Sequence, residues 1–159
     1  MDNHKDHKGK VSGDIIERVK SLLEQDKVLE ALDFVNHLGQ ETALIKNARG
    51  VCLLRLGRGE AAVSEFREIT FRGFMCVPSD TPVVYQTNFA TAMLMANQKA
   101  GAIELINRLD NSQHAAVVKI KSAIDQWKRG LNPLRRFLCK VDVYPNKAVQ
   151  IDFVPGDLQ

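Results

Sequence analysis

Aromatic residues are scarce in this 159-residue chain, at 6% of positions with a single tryptophan. A core short of large rings must be filled by small and aliphatic side chains, which suits helices packed closely, backbone to backbone. Cysteine is also sparse. Cys52, Cys76 and Cys139 are odd in number and widely spaced. They form no C-x-x-C pair and join no histidine at zinc-ligand spacing, so reduced, structural thiols in a cytoplasmic protein are expected. Long apolar runs are missing. Nothing approaches the roughly 20 residues of a membrane helix. The polar opening MDNHKDHKGK leads into no apolar stretch of the signal-peptide kind. Strong net charge is missing too, the formal balance being +3, so nucleic acid is not demanded as a partner. There is no G-x-S-x-G, phosphate loop, dinucleotide fingerprint or H-E-x-x-H. His37 and His114 have no nucleophile beside them in sequence, and His4 and His7 have no third ligand near. The expectation is a protein that is not an enzyme and needs no cofactor, metal or membrane.

What is present is helical periodicity. After a polar stretch over 1–12, expected as a disordered tail, Ile15, Ile16, Val19, Leu22 and Leu23 recur at spacings of three and four. Ser12 or Asp14 is placed to cap that start. Val28, Ala31, Leu32, Val35 and Leu38 form a second stripe, closed by Gly39. Further helices are predicted from about Thr42 to Leu56 and from Gly59 to Phe71. A loop follows over 72–80, then a helix opened by Thr81-Pro82. The last two run from about Lys99 to Leu109 and from about Ser112 to Gly130. The end of the chain changes period: Val141, Val143 and Tyr144 lead to Pro145-Asn146-Lys147, and Val149, Ile151 and Phe153 alternate with Gln150 and Asp152. Two alternating runs about a turn predict a β-hairpin.

The helix pairs repeat. Ala31, Ala62 and Ala102 stand near the starts of the second helices, 31 and then 40 residues apart, bracketing a period of about 34. The middle unit carries Gly50, Gly57, Ala62 and Phe66. Gly50 and Ala62 are small where helices cross, Phe66 fills the space between pairs, and Gly57 permits the tight turn. The third unit has Ala90, Asn97, Ala102 and Ile106 at those places, and the first has Val19, Ala31 and Val35. This pattern resembles the tetratricopeptide repeat family over residues 13–110, with the seventh helix placed like a capping helix.

The resemblance implies an all-α, right-handed superhelix of antiparallel helix pairs over 13–131, extended over 132–159 by the small C-terminal hairpin. It implies a concave groove that binds a peptide or partner helix as a scaffold or adaptor would, lined by Ile16, Lys20 and Leu23, by Asn47, Val51 and Leu54, and by Thr87, Asn88, Thr91 and Met95. The positions that grip a carboxylate in some such arrays hold Ile16, Lys20, Ala48, Val84 and Asn88 here. Two polar side chains of five make no clamp, so an apolar peptide segment fits better. A small secretion-type chaperone is an alternative of the same family, from which the hairpin departs. Another class of alternative is an anionic partner, nucleic acid included, on the basic residues Lys119, Lys121, Lys128, Arg129, Arg135 and Arg136 with Lys140. A solvated face of the capping helix explains that patch more simply. A homodimer is open through the hairpin edge or through Phe74, Met75 and Val77 in the loop.

Overall fold

The computed structural model describes the backbone of residues 3–109 and 113–158, with side chains from Gly13 onward within those ranges. Among these residues the architecture is all-helical and repeat-like. It comprises α1 (Asn3–Glu24), α2 (Val28–His37), α3 (Ala43–Arg55), α4 (Gly59–Phe71), α5 (Val83–Met95), α6 (Lys99–Arg108), α7 (Ala115–Arg129) and α8 (Pro133–Leu138), then a 3₁₀ turn over Cys139–Val141. The backbone of α1 is already helical at Asn3, so Ser12 and Asp14 stand inside the helix and do not cap it. Met1 and Asp2 of the expected tail, and the expected α7 start at Ser112, lie outside the described residues.

Three turns carry the repeat. Asp26, Gly57 and Asn97 adopt left-handed φ values of 59°, 72° and 61°. Lys27, Arg58 and Gln98 then lead into α2, α4 and α6 with nearly equal dihedrals. In each turn the left-handed residue's N–H donates to the carbonyl three residues back. The next N–H donates five back, from Lys27 to Leu22 and Arg58 to Leu53 at 2.9 Å and from Gln98 to Met93 at 2.7 Å. The orphan carbonyls at the ends of α1, α3 and α5 are satisfied by one device used three times. The longer second interval arises partly from α4, of 13 residues against 10 in α2, and partly from the loop before α5.

The small residues sit where the spacing places them. Ala31, Ala62 and Ala102 are fully buried. Gly50 lies under the ring of Phe66, where an added Cβ would come within 2.5 Å of Cζ. Gly59 meets the end of α5 somewhat less tightly, an added Cβ there standing 2.9 Å from Met95 Cβ. Thr42 caps α3 by accepting from the Ile45 N–H at 3.3 Å. The expected cap at Thr81 is not formed. Thr81 is buried, its hydroxyl donates to the Thr70 carbonyl, and Pro82 takes the residue before α5.

Short turns set successive helices antiparallel. Beyond these neighbours, α1 touches α3, α3 touches α5 and α5 touches α7, while α2, α4 and α6 make no comparable contact with one another. The odd-numbered row is therefore the tighter one.

The β-hairpin is not there: among the described residues no strand occurs. After Asp142, at φ 58°, the chain runs as an irregular extended segment back toward the odd-numbered row. Its alternation is genuine, with Val149 buried, Ile151 and Phe153 half-buried, and Gln150 and Asp152 exposed. A period of two follows from extended backbone whatever lies beside it. Here helices lie beside it, and helix side chains meet its polar groups in place of a second strand. The homodimer contact expected at a hairpin edge loses its basis with the hairpin.

Candidate binding groove

Counting back ten, six and three residues from each left-handed turn residue gives one stripe along the odd-numbered row. On α1 it is Ile16, Lys20 and Leu23, on α3 Asn47, Val51 and Leu54, and on α5 Thr87, Thr91 and Leu94. Eight of these nine are predicted groove residues. Met95 is not in line with them. It sits one position on and packs against Gly59 of α4, which leaves Leu94 as the equivalent of Leu23 and Leu54.

This stripe is occupied by the chain itself. Phe153, Val154, Gly156 and Asp157 lie along Thr87, Asn88 and Thr91 of α5 and Ala116, Lys119 and Ile120 of α7. Gly156 rests on Val51 and Leu54 of α3. Leu158 reaches a cavity of about 290 Å³ beside Ile16, Lys20 and Leu23 of α1 and Arg55 of α3. The extended segment thus crosses all four odd-numbered helices in reverse order.

Two asparagines hold its main chain. Asn47 and Asn88 are 1% and 2% exposed, a depth at which an amide must find partners. Asn88 Oδ1 accepts from the Asp157 N–H at 2.9 Å, and Asn88 Nδ2 donates to the Asp157 carbonyl at 2.7 Å. The same Nδ2 donates to Asn47 Oδ1 at 2.9 Å. Asn47 Nδ2 divides itself between the carbonyls of Asp157 and Leu158, both at 3.2 Å. Arg55 adds a long contact from Nη2 to the Gly156 carbonyl at 3.5 Å. One side chain that pairs with both N–H and C=O of a residue does what a neighbouring strand would do. Such pairing reads the backbone without reading the side chain. Thr87 and Thr91 are buried beneath the segment but turn their hydroxyls to helix carbonyls, of Val84 at 3.1 Å and Thr87 at 2.9 Å.

The segment is anchored before it enters the groove. Trp127 Nε1 donates to the Lys147 carbonyl at 2.8 Å, and Lys147 Nζ reaches the Gly130 carbonyl at the end of α7. Trp127 is therefore a core and anchoring residue. Lys99, buried at the start of α6, lies 5.8 Å from its ring centroid. Burial lowers the Lys99 ammonium below the usual lysine range.

The basic residues divide. Lys128, Arg129 and Arg136, with Lys140, line a hollow of about 640 Å³ beside Asp125 and Cys139. Arg136 is partly committed there, since its Nη2 donates to the carbonyls of Arg129 and Leu131 and closes the end of α7. Lys119 lies in the groove near Phe153 and Val154. Lys121 is half-buried and Arg135 exposed, and neither lines that hollow. The loop residues Phe74 and Met75 are exposed and Val77 is half-buried. They border a larger open hollow of about 1230 Å³ between α4 and α6, with Phe71, Met93 and Tyr144. Burial and the Asp142 carboxylate push the Tyr144 phenol up to about 12.

Among the described residues no cluster of His, Cys, Asp and Glu could hold a metal ion, and no helix is long and apolar enough to cross a membrane. His37 Nδ1 bonds the Asp33 carbonyl at 2.7 Å. Cys52 is buried, which pushes its thiol up to about 11, the opposite of an activated nucleophile. The stripe was legible in sequence, but Arg55 and the segment over 149–158 were not placed in it. The alternation of Val149, Ile151 and Phe153 was the one signal that could have done so.

Comparison with protein-family models, with curated proteins and with solved structures finds no match.

Proposed function

We propose that the chain is a non-catalytic protein-interaction module of the tetratricopeptide-repeat kind, which takes an extended peptide segment along α1, α3, α5 and α7. The observation that carries this reading is the two-way pairing of Asn88 with the main chain at Asp157. A buried amide pair that satisfies peptide N–H and C=O groups is suited to extended chain of many sequences, while Val51, Leu54 and Leu23 supply the apolar floor. The repeated turns and the fully buried alanines support the family assignment. The buried, proton-holding Cys52 and the engaged His37 favour binding over chemistry. A protein partner suits this groove better than nucleic acid, because the asparagine pair is matched to peptide N–H and C=O groups and the cluster of Lys128, Arg129, Arg136 and Lys140 lines a separate hollow.

The test is selection of binders from a displayed library of random extended peptides, in high salt, against the full chain. Peptides that cross-link to the sector of Ile16, Lys20 and Leu23 support the reading. Binders that cross-link only beside Arg129 and Arg136 and are lost on adding salt would move the function to the basic hollow. Selection that yields no binder would remove the groove reading.

A further inference from the structure

The segment that fills the groove carries information about what else would fit. Gly156 is buried and its φ of +83° is one that side-chain-bearing residues rarely adopt. A Cβ built there would meet Val51 Cγ1 at 3.1 Å and both Leu54 Cδ1 and Val51 Cγ2 at 3.2 Å. The backbone therefore comes down onto α3 at this residue because no side chain holds it off. One residue on, Asp157 turns its side chain to solvent while its N–H and C=O are paired by Asn88. Two residues on, Leu158 is half-buried against Ile16 and Leu23. Pro155 precedes the glycine and restricts the extended approach.

Resting on the groove reading above, we propose that the groove selects extended segments of the form proline-glycine-any-aliphatic, and that residues 153–158 are the chain's own copy of that ligand, which a partner segment must displace. Three requirements define the partner. Its glycine passes over Val51 and Leu54. The following residue contributes only main chain, to Asn88 and Asn47. The aliphatic residue after that enters the cavity between α1 and Arg55. The internal copy is tethered at Lys147 by Trp127, so it competes at a high effective concentration. A partner gains access by matching the pattern and adding contacts in the cavity of about 290 Å³ that adjoins Leu158.

The experiment uses a fluorescent peptide of the sequence of residues 149–159 and the full chain. Two variants loosen the internal copy: Gly156→Val, which places a β-branched side chain at a forbidden φ, and Asp157→Pro, which removes the N–H that Asn88 accepts. Both change residues of the extended segment and leave the helices untouched, and circular dichroism checks this. The expected result is weak binding to the wild type and at least tenfold tighter binding to both variants. A peptide carrying Gly156→Val is expected to lose at least tenfold against either variant, and adding Asn88→Ala to the protein to lose a similar factor. Equal, weak binding by wild type and both variants overturns the proposal. If library peptides still cross-link to α1 in that case, the groove reading survives alone. Binding of the valine peptide as tightly as the glycine peptide overturns the glycine requirement. Should both variants lose helical content, the segment is a structural part of the fold and the proposal fails.

Discussion

The Phe66 ring lies against the α-carbon of Gly50, so close that a methyl group there would stand 2.5 Å from Cζ, 2.7 Å from Cε1 and 2.9 Å from Cε2. Gly50→Ala is expected to cost roughly 1–3 kcal/mol by overpacking. The smaller ring-free side chain of Phe66→Leu opens a cavity and costs stability alone, yet makes room for the added methyl. Urea unfolding of both single variants and the double variant should show the double to be more stable than the sum predicts. Simple additivity would mean that the helices move apart and the contact decides nothing.

Asn88 is the most committed side chain of the groove. Asn88→Ala strands the Asp157 N–H, leaves the Asp157 carbonyl only its longer bond from Asn47 Nδ2 at 3.2 Å and takes the donor from Asn47 Oδ1, with an expected cost of about 1–3 kcal/mol. Asn88→Asp is near-isosteric but sets acceptors against two acceptors, and should cost more. Amide exchange over 153–158 should quicken in both before any change in α2 or α6. Uniform quickening along the chain would show that the segment does not open separately.

The three thiols should separate by reactivity. Cys76 is exposed and Cys52 buried, so iodoacetamide at neutral pH is expected to modify Cys76 first and Cys52 only on unfolding. Burial raises the Cys52 thiol from 9.0 to about 11, so between those values the native state holds a proton that the unfolded state has lost. The associated stability is fully present below pH 9.0 and falls away as pH rises toward 11. The loss is on the order of 2–3 kcal/mol. Urea unfolding at pH 8 and pH 11 should show a smaller alkaline loss in Cys52→Ala than in the wild type.

Of the three left-handed turn residues only Gly57 is glycine. Asp26→Gly relieves a disfavoured backbone at an exposed position and is expected to stabilise by about 0.5–1 kcal/mol. Asn97→Gly should gain little or lose, since Asn97 also bonds Asn146 and accepts from Lys99. Thermal unfolding of the two variants checks the contrast.

Trp127→Phe keeps a ring in the core and removes the N–H donated to the Lys147 carbonyl. A loss of about 1 kcal/mol is expected, together with faster proteolysis after Lys147 and no change at Lys46. Unaltered cleavage at Lys147 would show that the anchor lies elsewhere.

The helices were legible because their apolar residues recur every three to four positions, and this period survives in any helical packing. The turns at Gly57 and Asn97 were legible for a related reason: few residues tolerate a left-handed backbone. Thr81 misled because a threonine before a proline fits a cap equally well as an isolated pattern, and only the fold offers its hydroxyl the Thr70 carbonyl. Met95 misled by one residue, since a stripe inclined to the helix axis can be continued to either neighbour until the turns fix its register. The larger miss was the stretch from Val149 to Phe153. Alternation states that a chain is extended and one-sided. It does not state whether a strand or a row of helices lies on that side. Asn47 and Asn88 were expected to line a groove, but the main chain they bond was 110 and 69 residues away, beyond any local signal.

A row of helix pairs is ordinarily a line, in which the outermost pair can fray without the far end sensing it. The segment from Lys147 to Leu158 ties the far ends of that line to each other, as a cord closes a hoop. It is pinned beside α7 at Trp127, stitched to α5 and α3 by Asn88 and Asn47, and leaves Leu158 against α1. Opening at either extremity is then expected to loosen the other, through the segment that both ends hold. Closure of the hoop needs contacts across more than a hundred residues, so it is expected late in folding, after the helices it fastens have found one another.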